Sequence, residues 1–503
     1  MKSLKTLLVA VLIALGAFIP FTSSSRDQAY LLSVQEQGRP YALYLAVQGG
    51  SEEALRQLSD YASQSNDPYW LQQAALLGDA EAYYSLAMQE DNESKQQRIM
   101  SRAAEAGHAK AQYELALLSD DLNRRIKWLQ QSAEQDYLPA VIALYQWYLA
   151  DLQPEAAQPW LEKAAQSDGP SALLLARTLW RQGEYEQAKQ YFERADELKV
   201  PQAGDYLKLI SQNWRNQAVN KVNIAAVNNT QQCAIKIQPL ALSLENLIQY
   251  KQLASNFKQD KRLQDLPICL GTPLWLKPDT LACSDNWQGS RRLGCDASKL
   301  DSLPLDADFT HVLVLAELGK ANVNNGIMYL DLGDTYSVFV HELAHFSGFV
   351  DEYPLSSEMA EQVCQPHHPA PNLVFVEGDE VMTAASEKWG EAQQGWKLAR
   401  ARTCNNHAMQ AYKASDSLTF MEYHDQEYIP ELYLALWKAS LEQQETLLPA
   451  YINIAQALEE RGRLDAAQRW WQRHARYQYN IYGPYPQVVG SAAPTTTTEL
   501  VSQ

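Results

Sequence analysis

From residue 26 to residue 212 the chain alternates small apolar and polar positions with a helical period. Trp70, Leu71, Ala74, Ala75 and Gly78 form one series. It returns as Ile99, Met100, Ala103, Ala104, Gly107, then as Trp128, Leu129, Ser132, Ala133, Asp136, and again as Trp160, Leu161, Ala164, Ala165, Asp168. The steps between copies are 29, 29 and 32 residues. Residues i and i+4 share one helix face, and paired small residues let two helices approach closely. The glycine position ends the first helix of each pair. A period of this size predicts stacked helix pairs forming a solenoid.

Beyond an Asn- and Gln-rich stretch at 211–232, read as a linker, the pattern changes. CAIKIQPLAL from Cys233 predicts a strand, followed by an amphipathic helix over roughly 243–259. ICLGTPLWL from Ile268 and the apolar, β-branched run at 309–317 predict further strands. A turn signal at Asn324 and Asn325 precedes a short strand, and Asp334 with Thr335 can cap the helix that follows. The expected fold class is multidomain, an α-helical repeat solenoid joined to an α/β domain. The expected division is a leader at 1–25, repeats at 26–212, an α/β domain at 231–445, a helical pair at 446–480 and a disordered tail at 482–503.

The 503 residues exceed one compact core, which supports this division. A net charge of −18 argues against nucleic acid as a partner. Lys2 and Lys5 precede an apolar run from Leu7 to Phe21, then Thr22 and three serines, a secretory pattern. The expected location is periplasmic or secreted, with a membrane partner only if that segment stays uncleaved. All six cysteines lie between Cys233 and Cys404. An even count in an exported chain suggests three disulfides among 15 connectivities. Cys364 with Cys404, Cys233 with Cys269 and Cys283 with Cys295 is one such set.

The densest chemistry lies in HELAHFSGFVDEY, residues 341–353. On a helix, His341 and His345 present two imidazoles to one metal, and Glu342 stands beside the first as general base. A catalytic zinc needs a third protein ligand. Gly348 permits the chain to turn, and Asp351 can then fold back as that ligand, with Glu352 the alternative.

This stretch resembles the metzincin zinc peptidases, whose pattern is HExxHxxGxxH. Asp351 replaces their usual third histidine, as in snapalysin-like enzymes. Gly348, Phe349 and Glu352 are similar to astacins, and Asp351, Glu352, Tyr353 to the bacterial IgA-peptidase family. The resemblance implies a zincin-like domain holding Zn2+ and a protein or peptide substrate. It also implies a substrate-pairing edge strand, placed at Ile327 to Leu330, and a methionine turn below the metal. Met409 is preferred for that turn and Met421 is the alternative. Tyr423 maps onto a tyrosine that helps hold the oxyanion, with His424 a further candidate. A ligand from the more distant glutamates Glu358 or Glu361 fits the spacing poorly. His367, His368 and His407 read as structural histidines.

The repeats resemble Sel-one-like repeats, and 181–198 and 457–475 resemble tetratricopeptide units. That implies a protein partner or substrate docked on the array. The expected function is an exported zinc metalloendopeptidase with catalytic residues Glu342 and Tyr423 and metal ligands His341, His345 and Asp351. Two other readings stay open: a repeat adaptor with a structural zinc domain, and a zinc amidase acting on cell-wall peptides.

Overall fold

The structure is a computed structural model that describes residues 40–65, 67–228, 232–378, 380–390, 396–405, 407–444 and 447–482. The expected leader and the tail beyond Tyr482 lie outside these residues. The chain divides into two compact units, residues 1–204 and 205–503.

The first unit is a run of helices, each packed on the next: α1 (Pro40–Gln48), α2 (Glu52–Ser65), α3 (Pro68–Leu76), α4 (Ala80–Gln89), α5 (Glu93–Glu105), α6 (Ala109–Leu118), α7 (Leu122–Glu134), α8 (Leu138–Ala150), α9 (Pro154–Ala164), α10 (Gly169–Gln182) and α11 (Tyr185–Glu197). The four copies of the series fall on or just beyond α3, α5, α7 and α9. Their small pairs, Ala74/Ala75, Ala103/Ala104, Ser132/Ala133 and Ala164/Ala165, are all buried. Gly78 (φ 96°), Gly107 (φ 102°) and Asp136 (φ 63°) take the left-handed turn that stops the helix. Asp168 departs from the expected equivalence. Its φ is −112°, and it caps α10 by accepting from the Ser171 amide, because the turn after α9 is one residue shorter. Asp67, Asp79, Asn92 and Asp121 cap α3, α4, α5 and α7 in the same way, each contributing about 1 kcal/mol.

The second unit is built on a sheet with strand order β1–β5–β3–β6–β8–β7, and β4 pairs with β2 and β3. The strands are β1 (Val219–Lys221), β2 (Val227–Asn228), β3 (Ile235–Ala241), β4 (Ile268–Leu270), β5 (Leu274–Leu276), β6 (His311–Leu315), β7 (Asn322–Asn324) and β8 (Ile327–Leu330). Along β6 the side chains alternate between two cores, as a strand requires. Leu313 and Leu315 join the core under the helices Leu244–Gln259, Tyr336–His345 and Glu431–Gln443. Val312 and Val314 join the opposite core with Tyr451, Ile454, Leu458 and Ala467. Both faces of the sheet are therefore covered, and each large aliphatic side chain buried there contributes roughly 1.5–3 kcal/mol.

Four expectations change. The 211–232 stretch is not simply a linker: β1 pairs antiparallel with β5 and β2 with β4. ICLGTPLWL breaks into two strands at Gly271, where a Cβ would lie 2.9 Å from the Ile237 carbonyl. Ile327–Leu330 is an interior strand, parallel to β6 on one side and antiparallel to β7 on the other, so β7 is the edge. The C-terminal helices Tyr451–Glu460 and Leu464–Tyr482 do not stand apart, because they pack on the sheet. Backbone of Ala450 sits where a Cβ on Gly326 would be.

A second sheet, β10 (Ala399–Ala401), β11 (Gln410–Lys413) and β9 (Leu373–Val376), follows the active-stretch helix. The disulfides are Cys233–Cys269, Cys283–Cys295 and Cys364–Cys404. Three such pairs suggest an oxidising, exported compartment. Among the described residues no helix is long and apolar enough to cross a membrane.

Candidate metal centre

Helix α14 (Tyr336–His345; α12 and α13 are Pro201–Asn213 and Leu244–Gln259) starts at Thr335, whose hydroxyl accepts from the Val338 amide. Phe339 and Leu343 anchor it in the core, and His341 and His345 follow one turn apart. Beyond the helix, Gly348 adopts φ 79° and reverses the chain. That reversal places the Phe349 carbonyl 2.8 Å from His345 Nδ1. The Phe420 carbonyl lies 2.7 Å from His341 Nδ1. A carbonyl only accepts, so each imidazole carries its proton on Nδ1 and leaves Nε2 bare.

The two bare nitrogens are 3.3 Å apart. Asp351 Oδ1 is 3.1 Å from one and 3.2 Å from the other, and it has no hydrogen-bond partner. With both imidazoles neutral, three buried acceptors converge with no hydrogen between them, which is repulsive unless a proton or a metal cation joins them. With metal–ligand bonds of 2.0–2.1 Å, the edge of a tetrahedral zinc site is roughly 3.3–3.4 Å. The observed triangle is close to that. Among the described residues, His341, His345 and Asp351 form the one such donor group.

The electrostatics agree. Burial opposes a charge on His345, yet Asp351 beside it pulls its pKa up to about 9. Burial likewise opposes ionisation of Asp351, but the two imidazoles hold its carboxyl well below the usual carboxylate range. The cluster favours a positive charge, which a proton on His345 or a metal ion can supply. Burial pushes the Glu342 carboxyl upward, with His345, His341 and Arg292 pulling the other way.

Glu352 is no ligand. Its Oε1 accepts from Asn372 Nδ2 at 3.0 Å and from the Tyr433 hydroxyl at 2.6 Å, and its Oε2 accepts from Thr419 at 2.6 Å. Lys413 Nζ is 3.4 Å away. Of the two candidate methionines, Met421 adjoins the segment that meets His341 and Met409 does not. The Glu422 amide donates to the Thr419 carbonyl, closing a turn over Phe420 and Met421, whose carbonyls receive His341 and the Glu352 amide. Met409 packs in a separate cluster beside the Cys364–Cys404 disulfide.

A narrow cleft with a volume of about 30 Å³ borders Glu342, His345 and Asp351, with edge-strand residues Asn322 and Val323 along one side. Tyr423 is 55% exposed, stacks on His424 and does not line this cleft. Tyr353 does line it, and burial, with the Asp351 carboxylate adding to the effect, pushes its phenol pKa up. Sequence reading quoted Tyr353 without giving it a role. Arg292, also in the cleft wall, carried no signal beyond lying between two cysteines.

A tetratricopeptide-repeat family model matches residues 169–199, which cover α10 and α11. No curated protein matches this sequence. Among solved structures, the chain is similar to a protective antigen of uropathogenic Escherichia coli strains displaying an SLR fold. The TM-score is 0.28 at 21% identity, covering 38% of this chain and 48% of that one. It is also similar to a Sel1 repeat protein from Oxalobacter formigenes, with TM-score 0.26 and 16% identity over 37% and 88% of the two chains. The chain spans about half the length of the first of these. The first unit is an array of paired helices with a tetratricopeptide-like pair at residues 169–199, followed by an α/β region.

Proposed function

We propose that the α/β unit is a zinc-dependent peptidase and that the helical array docks a protein partner or substrate. The observation that carries this reading is the convergence of His341 Nε2, His345 Nε2 and Asp351 Oδ1 at 3.1–3.3 Å, close to the edge of a tetrahedral zinc site. Zinc bound there supplies the Lewis acidity that makes water nucleophilic near neutral pH.

Every other step belongs to side chains of this chain. Glu342, one residue after the first ligand and facing the cleft, takes the proton from the attacking water and returns it to the leaving amine. Its raised pKa suits a group that must both accept and donate. Tyr353 lines the cleft with Asp351 and is the phenol placed to steady the oxyanion, a role that Tyr423, outside the cleft lining, does not fill. The β7 edge offers unpaired backbone groups to an extended peptide. Export fits the three disulfides.

A second reading, an adaptor with a structural metal, draws on the tetratricopeptide match at 169–199. The discriminating experiment measures zinc content and casein cleavage of wild type beside Glu342→Ala. Zinc in both with cleavage by wild type alone supports the peptidase. Zinc in both with cleavage by neither favours the adaptor.

A further inference from the structure

Arg292 stands at the cleft wall without an anion. It is half-buried, and its guanidinium donates to the Met359 sulfur at 3.2 Å. Among the described residues no carboxylate lies within ion-pair distance of it. Lys320, on the same wall, is exposed and likewise has no carboxylate within ion-pair distance among the described residues. Both are notable in a chain of net charge −18, where a lone cation readily finds a carboxylate.

The fold holds Arg292 there deliberately. It lies in the loop closed by Cys283–Cys295, two cysteines with a sequence separation of 12. The Ser284–Gly294 bridge narrows that loop, and Trp287 packs over Gly294, where any Cβ would meet its ring at 2.5 Å. The next residue, Leu293, donates its amide to the Lys320 carbonyl at 3.3 Å and accepts from Asn322 Nδ2 at 2.8 Å. The loop is thereby laced to the approach of edge strand β7. A peptide lying along β7 passes both cations. The Arg292 charge already reaches Glu342 and Tyr353.

Resting on the peptidase reading, we propose that Arg292, assisted by Lys320, binds an acidic side chain of the substrate close to the scissile bond. The guanidinium fork matches a carboxylate in two parallel hydrogen bonds, and partial burial strengthens them. Arg292 is a specificity residue in this account. It selects which peptide is cleaved.

The test uses the full chain loaded with zinc and C-terminally amidated decapeptides differing by Glu or Gln near a cleavage site mapped in casein. The expected result is a Glu:Gln ratio of kcat/KM of roughly tenfold or more, the worth of one charge-assisted pair. Arg292→Gln brings the ratio toward one, Arg292→Lys restores part of it, and Arg292→Glu shifts preference to a Lys peptide. Melting curves of the three variants establish that each is folded. A ratio near one in wild type overturns the inference while leaving the peptidase reading intact. A preference for the free-acid over the amidated Gln peptide, lost in Arg292→Gln, overturns the side-chain assignment in favour of the chain terminus. Neither zinc nor cleavage in wild type removes both readings together.

Discussion

Asp351 and Glu352 are neighbours in the chain and point to opposite sides of it. Asp351 Oδ1 faces two imidazole nitrogens at 3.1 and 3.2 Å, while Glu352 is fully buried among Asn372, Thr419, Tyr433 and Lys413. The chain bends at Glu352, the two side chains part there, and the two acids do not share one role. Asn372 holds the segment in register: its Oδ1 accepts from the Val350 amide at 3.0 Å and its Nδ2 donates to the Val350 carbonyl at 2.8 Å.

That divergence predicts opposite phenotypes. Glu352→Ala strands three hydrogen-bonding partners and weakens the balance around Lys413, so it lowers stability by about 3–5 kcal/mol. Zinc stoichiometry of the fraction that remains folded is unchanged. Asp351→Ala leaves apo stability near that of wild type and abolishes stoichiometric zinc. Urea unfolding and metal analysis of both variants check this.

Asp334 gives a pH signature away from the ligands. Burial raises its carboxyl to about 7, with Asp331 and Glu342 adding to the effect and the Asp331 amide opposing it. A carboxylate whose folded pKa exceeds its unfolded value binds more protons when folded. Its contribution to stability therefore falls as pH rises from about 4 to 7. Asp334→Asn keeps an acceptor for the Asp331 amide and removes the charge. After allowance for its partial exposure, the variant should be about 1–2 kcal/mol more stable than wild type at pH 8 and level with it near pH 4. Thermal melts across that range decide it.

The Cys364–Cys404 bridge closes a loop over the segment that follows Asp351. Next to Cys404, Thr403 donates its hydroxyl to the Asp351 carbonyl at 2.7 Å. Replacing both cysteines by alanine should cost about 2–4 kcal/mol. Because the bridge adjoins this anchor, zinc affinity should fall along with stability. An unchanged zinc dissociation constant would separate the bridge from the site.

Much of this was legible in the sequence. Helical spacing of His341 and His345, the glycine turn and the following acids are local properties, and the structure assembles them as the spacing implies. The small-residue series announced the repeats for the same reason. What stayed hidden depends on distant segments. Asp351 and Glu352 could not be ranked without Asn372, Thr419 and Tyr433. Met409 and Met421 have similar local contexts, and only the Phe420 carbonyl at His341 separates them. The edge strand was displaced by one because β7 is three residues long and shows no clear alternation. Tyr353 and Arg292 gained meaning only when the cleft brought them together.

The most direct measurement is zinc binding by the purified chain, titrated against a competing chelator, for wild type, Glu342→Gln and Asp351→Ala. The account predicts one zinc per chain in the first two and affinity weakened by at least about 100-fold in the third, as expected when a catalytic site loses one of three protein ligands. Equal affinity in Asp351→Ala and wild type, or no zinc in folded wild type, would contradict it.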